Sequence, residues 1–219
     1  MHAPLRSATR HPDYEVAKAG DIDAALRVVQ AIVSDVAIEE IRRQLTGAKP
    51  IVVAVHGMEA ISVNEIPTAF ASLLSYRLGW PINREIIQAA KVSRTGADGF
   101  HRLANSPPFD GAFPAGACAI IVDDTLIQGG ALASLKGHIE SQGGYVLLAA
   151  VLTGKQYSAK IAISTETCEN LRERYGPLEI WWRAEFGYGF DRLTESEARY
   201  LLRGGQDVDT LRNRILASR

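Results

Sequence analysis

Apolar positions along the chain fall into two rhythms. Residues 51–55 (Ile, Val, Val, Ala, Val), 119–122 (Ala, Ile, Ile, Val) and 145–152 (Tyr, Val, Leu, Leu, Ala, Ala, Val, Leu) are short continuous runs. Such runs are expected of strands buried on both faces of a parallel sheet. Elsewhere the spacing is helical. Ile22, Ala25, Leu26, Val29, Ile32, Val33 and Val36 predict one helix over residues 21–45, ended by Gly47 and Pro50. Further helices are predicted over residues 64–78, from residue 131 onward, over 164–175 with Thr165 or Thr167 as cap, and over 209–216. Thr194 followed by Glu197 is a capping box that opens a helix over 193–202. Residues 86–92 and 179–183 read as short strands, 186–191 as a turn, and 93–108 as a long polar loop rich in Gly and Pro. The first few residues are expected to be mobile. Strands alternating with helices predict an α/β fold: a twisted, mainly parallel sheet flanked by helices, with a small hood. The expected division is an N-terminal helical segment (1–49), an α/β core (50–160), and a C-terminal hood with helices (161–219).

The run at 119–122 leads into the most informative stretch of the chain. Asp123 and Asp124 follow it, then Thr125, Leu126, Ile127 and Gln128, then Gly129, Gly130 and Ala131. The order is strand, acidic pair, short loop, Gly-Gly, helix. Backbone N–H groups of such a loop, with the helix N-terminus behind them, can cradle a phosphate. Two carboxylates would repel that phosphate and suit hydroxyls or a metal ion instead. A ligand with a phosphate at one end and a diol nearby is a ribose 5-phosphate. The competing reading is an ordinary strand–turn–helix whose acids cap the helix.

In residues 119–131 the chain resembles the type I phosphoribosyltransferases, whose fingerprint is an apolar run, two acidic residues, a short loop and Gly-Gly. Asp123, Asp124, Gly129 and Gly130 match; Gln128 and Ala131 stand where the family usually has hydroxyl residues. The resemblance implies a type I phosphoribosyltransferase-like fold and transfer of phosphoribosyl from phosphoribosyl pyrophosphate (PRPP) to a nitrogenous base, as in nucleotide salvage, with Mg2+. It implies that residues Thr125 to Ala131 hold the 5-phosphate, and that Asp123 and Asp124 hold the ribose hydroxyls, directly or through the hydration shell of Mg2+. It places a pyrophosphate loop after the run at 51–55, at His56 and Gly57. In this chain residues 56–62 contain one Glu and no Lys or Arg. It places a basic mobile loop where Lys91, Arg94, His101 and Arg102 cluster, with Lys91 and Arg94 acting on the leaving pyrophosphate. Lys155, just past the run at 145–152, falls on the ligand side of a parallel sheet. Residues 187–191 (Gly, Tyr, Gly, Phe, Asp) are loosely similar to a late motif of hypoxanthine-guanine phosphoribosyltransferases, which would set Asp191 near base and metal. Trp181 and Trp182 are core, interface, or a stacking platform.

Composition adds boundaries. The 219 residues carry a formal charge of −1, which supplies no field to recruit nucleic acid or anionic membrane. No apolar run reaches membrane-span length, and residues 1–20 lack the apolar centre of a secretory signal. Cys118 and Cys168 have no metal-ligand spacing, and Cys118 reads as a small core residue. These features lead to the expectation of a cytoplasmic protein; the resemblance implies small-molecule substrates, PRPP and a base, and a homodimer is a further expectation. Two alternatives stay open: a non-catalytic regulatory protein that binds PRPP or a nucleotide on the same fold, and a hydrolase on that scaffold.

Overall fold

The computed structural model describes residues 1–57, 63–89 and 98–218. In chain order the elements are β1 (Ala3–Pro4), α1 (Tyr14–Lys18), α2 (Ile22–Ile32), α3 (Asp35–Gln44), β2 (Ile51–Ala54), α4 (Ile66–Leu78), β3 (Ile82–Asn83), β4 (Ile87–Gln88), α5 (Gly99–Ala104), β5 (Phe109–Asp110), β6 (Cys118–Leu126), α6 (Gly130–Ser141), β7 (Tyr145–Gly154), α7 (Thr165–Phe186), α8 (Glu195–Arg203) and α9 (Val208–Ala217).

The sheet is parallel, in the order β1-β7-β6-β2-β3. Alternate strand residues face opposite sides. Val52, Ala54, Ile120, Val122, Ala150 and Leu152 pack under α1, α2 and α4. Val53, Ala119, Ile121 and Val151 pack under α6, against Leu132, Leu135 and Ile139. A mainly parallel sheet with helices on both faces is therefore the architecture, as the apolar rhythm predicts. A separate core joins α5, α7, α8 and α9 around Leu171, Tyr175, Trp182, Phe190 and Leu201.

Several expectations change. The helix expected over 21–45 is two, because Val33 is extended and the Ser34 side chain caps α3 by accepting from Ala37 N–H at 3.3 Å. The helix expected to stop at 175 runs to Phe186. Tyr175 leaves helical geometry before Pro177, which cannot donate a backbone hydrogen bond, and the helix then resumes. Residues 179–183 are thus helical, not a strand. Leu171, Tyr175, Leu178 and Trp182 recur at helical spacing and are buried, while Ile180 is exposed. The long loop expected over 93–108 contains α5, capped by Asp98 accepting from His101 N–H at 2.8 Å; Phe100 and Leu103 enter the C-terminal core. Residues 93–97, with Lys91 and Arg94, lie outside the described residues. Of the strand expected over 86–92, Ile87–Gln88 pairs antiparallel with β5.

The N-terminus is docked rather than loose. Ala3 and Pro4 pair with Thr153 and Gly154 at the sheet edge, and His2 N–H bonds to the Val151 carbonyl at 3.1 Å. The His2 ring meets Phe70 edge-on at 5.1 Å and accepts from Ser34 N–H at 3.0 Å. Cys118 is half-buried rather than core, Cys168 is buried, and both are free thiols.

Candidate functional site

Strand β6 outlasts its neighbour β2. Their pairing ends at Ala54 beside Val122, whereas β6 goes on beside β7 through Asp123–Val151, Thr125–Thr153 and Leu126–Gly154. Asp123 and Asp124, expected just past the strand, therefore lie within it, on the stretch that stands clear of β2. A cleft of about 440 Å³ opens there, beyond the carboxyl ends of the strands. It is lined by Asp123, Asp124, Thr125, Ile127, Gln128, Gly129, Gly130 and Ala131, and also by Gly57, Arg102 and Lys155.

Asp123 is half-buried in this stretch. Asp124 is buried and accepts from the Asn64 side-chain amide at 2.8 Å. Asn64 sits just ahead of α4, where its own oxygen accepts from Ile66 N–H at 3.2 Å. Asp123 accepts from Asp124 N–H at 2.8 Å. Burial pushes the Asp123 carboxyl well above the usual carboxylate range, and the charge of Asp124 pushes it further. Lys18 acts against that rise.

The loop after β6 is held from behind. Ser158 Oγ donates to the Ile127 carbonyl at 2.7 Å, and Thr194 Oγ1 donates to the Gln128 carbonyl at 2.6 Å. In a trans peptide the next N–H points opposite to the carbonyl. Fixing these two oxygens away from the cleft turns the N–H groups of Gln128 and Gly129 toward it. Gly129 has φ +85°, a left-handed conformation that glycine adopts without strain, and it begins α6. The N-cap residues of α6, α1 and α4 make no side-chain capping bond, whereas Asp21, Ser34, Asp98, Ser164, Thr194 and Asp207 cap α2, α3, α5, α7, α8 and α9. The first N–H groups of α6 are thus available to an anion in the cleft.

Other residues singled out by the sequence go elsewhere. Leu126 ends β6 with its side chain buried against α6. His56 Nδ1 is bonded to Thr68 Oγ1 on α4 at 2.9 Å, and His56 is not part of the cleft wall. Asp191 sits on the C-terminal unit beside Arg172 and Arg183, each at 3.5 Å, and lines a second groove of about 730 Å³. Arg102, on α5, does reach the acid-pair cleft, where burial pushes its guanidinium below its usual range. Trp182 is fully buried among Phe186, Tyr188 and Phe190, so it is core and no stacking platform.

The sequence reading missed an entire wall. Leu5, Arg6, Thr9, Tyr14 and Lys18 line the same cleft, as do Asn64, Gln88, Thr153 and Glu197. A two-residue strand carries no periodicity, so nothing in residues 1–18 signalled docking. Asn64 left one signal, a short amide side chain just before a helix.

Among known proteins, no family model matches the chain. Protein TraN of Escherichia coli is 41% identical over 216 residues, which is 98% of this chain and 48% of that protein. An uncharacterized protein of Haemophilus influenzae is 48% identical over 135 residues, 62% of this chain and 30% of that protein. The chain thus spans at most about half the length of these curated relatives. Among solved structures, adenine phosphoribosyltransferase from Leishmania tarentolae aligns with a TM-score of 0.40 at 15% identity, over 80% of this chain and 84% of that one. The enzyme of the same name from Thermoanaerobacter pseudethanolicus gives 0.37 at 26%, over 61% and 74%. Among the described residues, no helix is long and apolar enough to cross a membrane.

Proposed function

We propose that the cleft binds PRPP and that the chain transfers its phosphoribosyl group to a nitrogenous base. The observation that carries this is the convergence, in one cleft, of an uncapped helix N-terminus, a loop with its carbonyls tied back, and two adjacent carboxylates, Asp124 buried and Asp123 half-buried. The N–H groups of residues 128–131 take the 5-phosphate. Asp123 and Asp124 take the 2- and 3-hydroxyls of the ribose, Asp124 held in place by Asn64. In the reaction the bond from C1 to the pyrophosphate oxygen breaks, and pyrophosphate leaves with the electron pair. The acceptor nitrogen forms the new bond to C1 and yields its proton to solvent. Arg102 and Lys155 on the cleft wall offset the phosphate charge.

The donor set fits Mg2+ held mainly by ligand and water oxygens. Among the described residues no cluster of three or more His, Cys, Asp or Glu could cage a metal, whereas Asp123 and Asp124 can hold its hydration shell. Mg2+ would supply neutralisation of the diphosphate charge.

A second reading, PRPP binding without turnover, is favoured by the absence of Lys and Arg from residues 56–62. The experiment is thermal denaturation with millimolar PRPP and Mg2+, followed by pyrophosphate release against a panel of purine and pyrimidine bases. A raised Tm with release supports transfer. A raised Tm with no release for any base supports the second reading. An unchanged Tm overturns both.

A further inference from the structure

The N-terminal arm forms one wall of the cleft. It leaves the sheet where Pro4 pairs with Gly154, at the carboxyl end of β7, and it ends against the start of α4, where Glu65 N–H bonds to the Ala17 carbonyl at 3.3 Å. Arg6, between those anchors, and Lys18, just past the second, line the cleft. Arg6 has φ +71°, the one positive value outside glycine among the described residues. A residue with a Cβ holds that conformation at a cost, and such strain persists where the surroundings impose it, often at ligand sites. Thr9 Oγ1 donates to the Arg6 carbonyl at 2.9 Å and helps hold the turn. Among the described residues the Arg6 guanidinium has no carboxylate partner, although the chain offers ion pairs to many other arginines. A guanidinium with no carboxylate partner among the described residues, on a strained backbone at a cleft wall, is placed for an anion. The loop after β2, which the family resemblance would give that task, has no cation of its own.

We propose that the arm supplies the pyrophosphate subsite: Arg6, with Lys18 on the same cleft, takes the diphosphate oxygens of PRPP. This rests on the PRPP reading of the cleft and adds to it a residue outside the fingerprint. A planar guanidinium meets two phosphate oxygens at once, which an ammonium cannot do.

The test compares two ligands and two variants by calorimetry at fixed Mg2+. Ribose 5-phosphate engages the loop and the acids but carries no diphosphate. Arg6→Gly removes the guanidinium and relaxes the backbone; Arg6→Lys keeps the charge but loses the fork. Arg6→Gly is expected to raise Tm, to weaken PRPP binding by about tenfold or more, as for loss of hydrogen bonds to a charged group, and to leave ribose 5-phosphate binding unchanged. Arg6→Lys is expected to fall between. If Arg6→Gly binds PRPP as the wild type does, the inference is overturned and the PRPP reading stands. Equal loss of both ligands also overturns it, since Arg6 would then shape the cleft rather than grip diphosphate. If the wild type binds neither ligand at millimolar concentration, the PRPP reading itself fails and this inference with it.

Discussion

At the scale of single residues, the acidic pair sets the clearest expectation. Asp123 is raised by burial and by the charge of Asp124. A carboxyl whose folded value lies above its unfolded one favours folding in the protonated state. That contribution is complete below the unfolded value, near 3.8, and is lost as pH rises through the folded value. At neutral pH the group therefore weighs against the fold. Asp123→Asn should raise Tm at pH 7, with the gain fading toward pH 4, while PRPP and Mg2+ bind more weakly. A Tm lowered at every pH would show the carboxyl to be a structural partner instead. Opposing effects of this kind mark a site kept for function at the expense of stability. Thermal scans across the pH range, run beside titration calorimetry, measure both.

At the scale of elements, the docking of the first strand depends on a histidine. His2 is pushed down to about 4 by burial, and the Nδ1 that accepts from Ser34 N–H is an unprotonated nitrogen. Neutral imidazole is the form the docked arm accepts. The stability it lends is present above the unfolded value of about 6.5 and is lost as pH falls toward about 4. Exchange protection of the His2 amide, which bonds to the Val151 carbonyl, should drop over that window, and His2→Leu should flatten the pH dependence. Protection that holds down to pH 4 would mean that the ladder pairs alone retain the arm. This element was illegible in the sequence, as were the two breaks in helical reading. Gly176 and Pro177 looked like a stop, yet α7 continues because Leu178 and Trp182 still have a core to enter. The buried strands were legible because an unbroken apolar run has few other uses. The acids and Gly-Gly were legible because their order is itself chemical. Arg6, Tyr14 and Lys18 were not, since a residue that reaches a site across the fold leaves no local trace. Trp182 extends the same point to packing. Trp182→Ala should cost about 3–5 kcal/mol by chemical denaturation, as for large buried aromatics, and leave PRPP affinity nearly unchanged if the pair is core alone.

At the scale of the molecule, two cores flank the sheet and a third lies in the C-terminal helices, joined to the loop after β6 by Ser158 and Thr194. A ligand that orders the loop therefore tightens contacts on both sides of it. The N-terminal strand has a different standing. Its two ladder pairs join Ala3 and Pro4 to residues near position 153, so almost the whole chain between them must be in place before they form. Closing so long a loop costs entropy that two pairs return poorly, and contacts of such sequence separation form late. The arm is thus expected to be the last piece to settle during folding and the first to detach when the protein breathes. A newly made chain would pass through a state with a finished sheet and a cleft still lacking one wall. Refolding followed by pulse-labelled amides should find the His2 amide protected only after β6 and β7, with ligand binding appearing in step with the arm and not with the sheet.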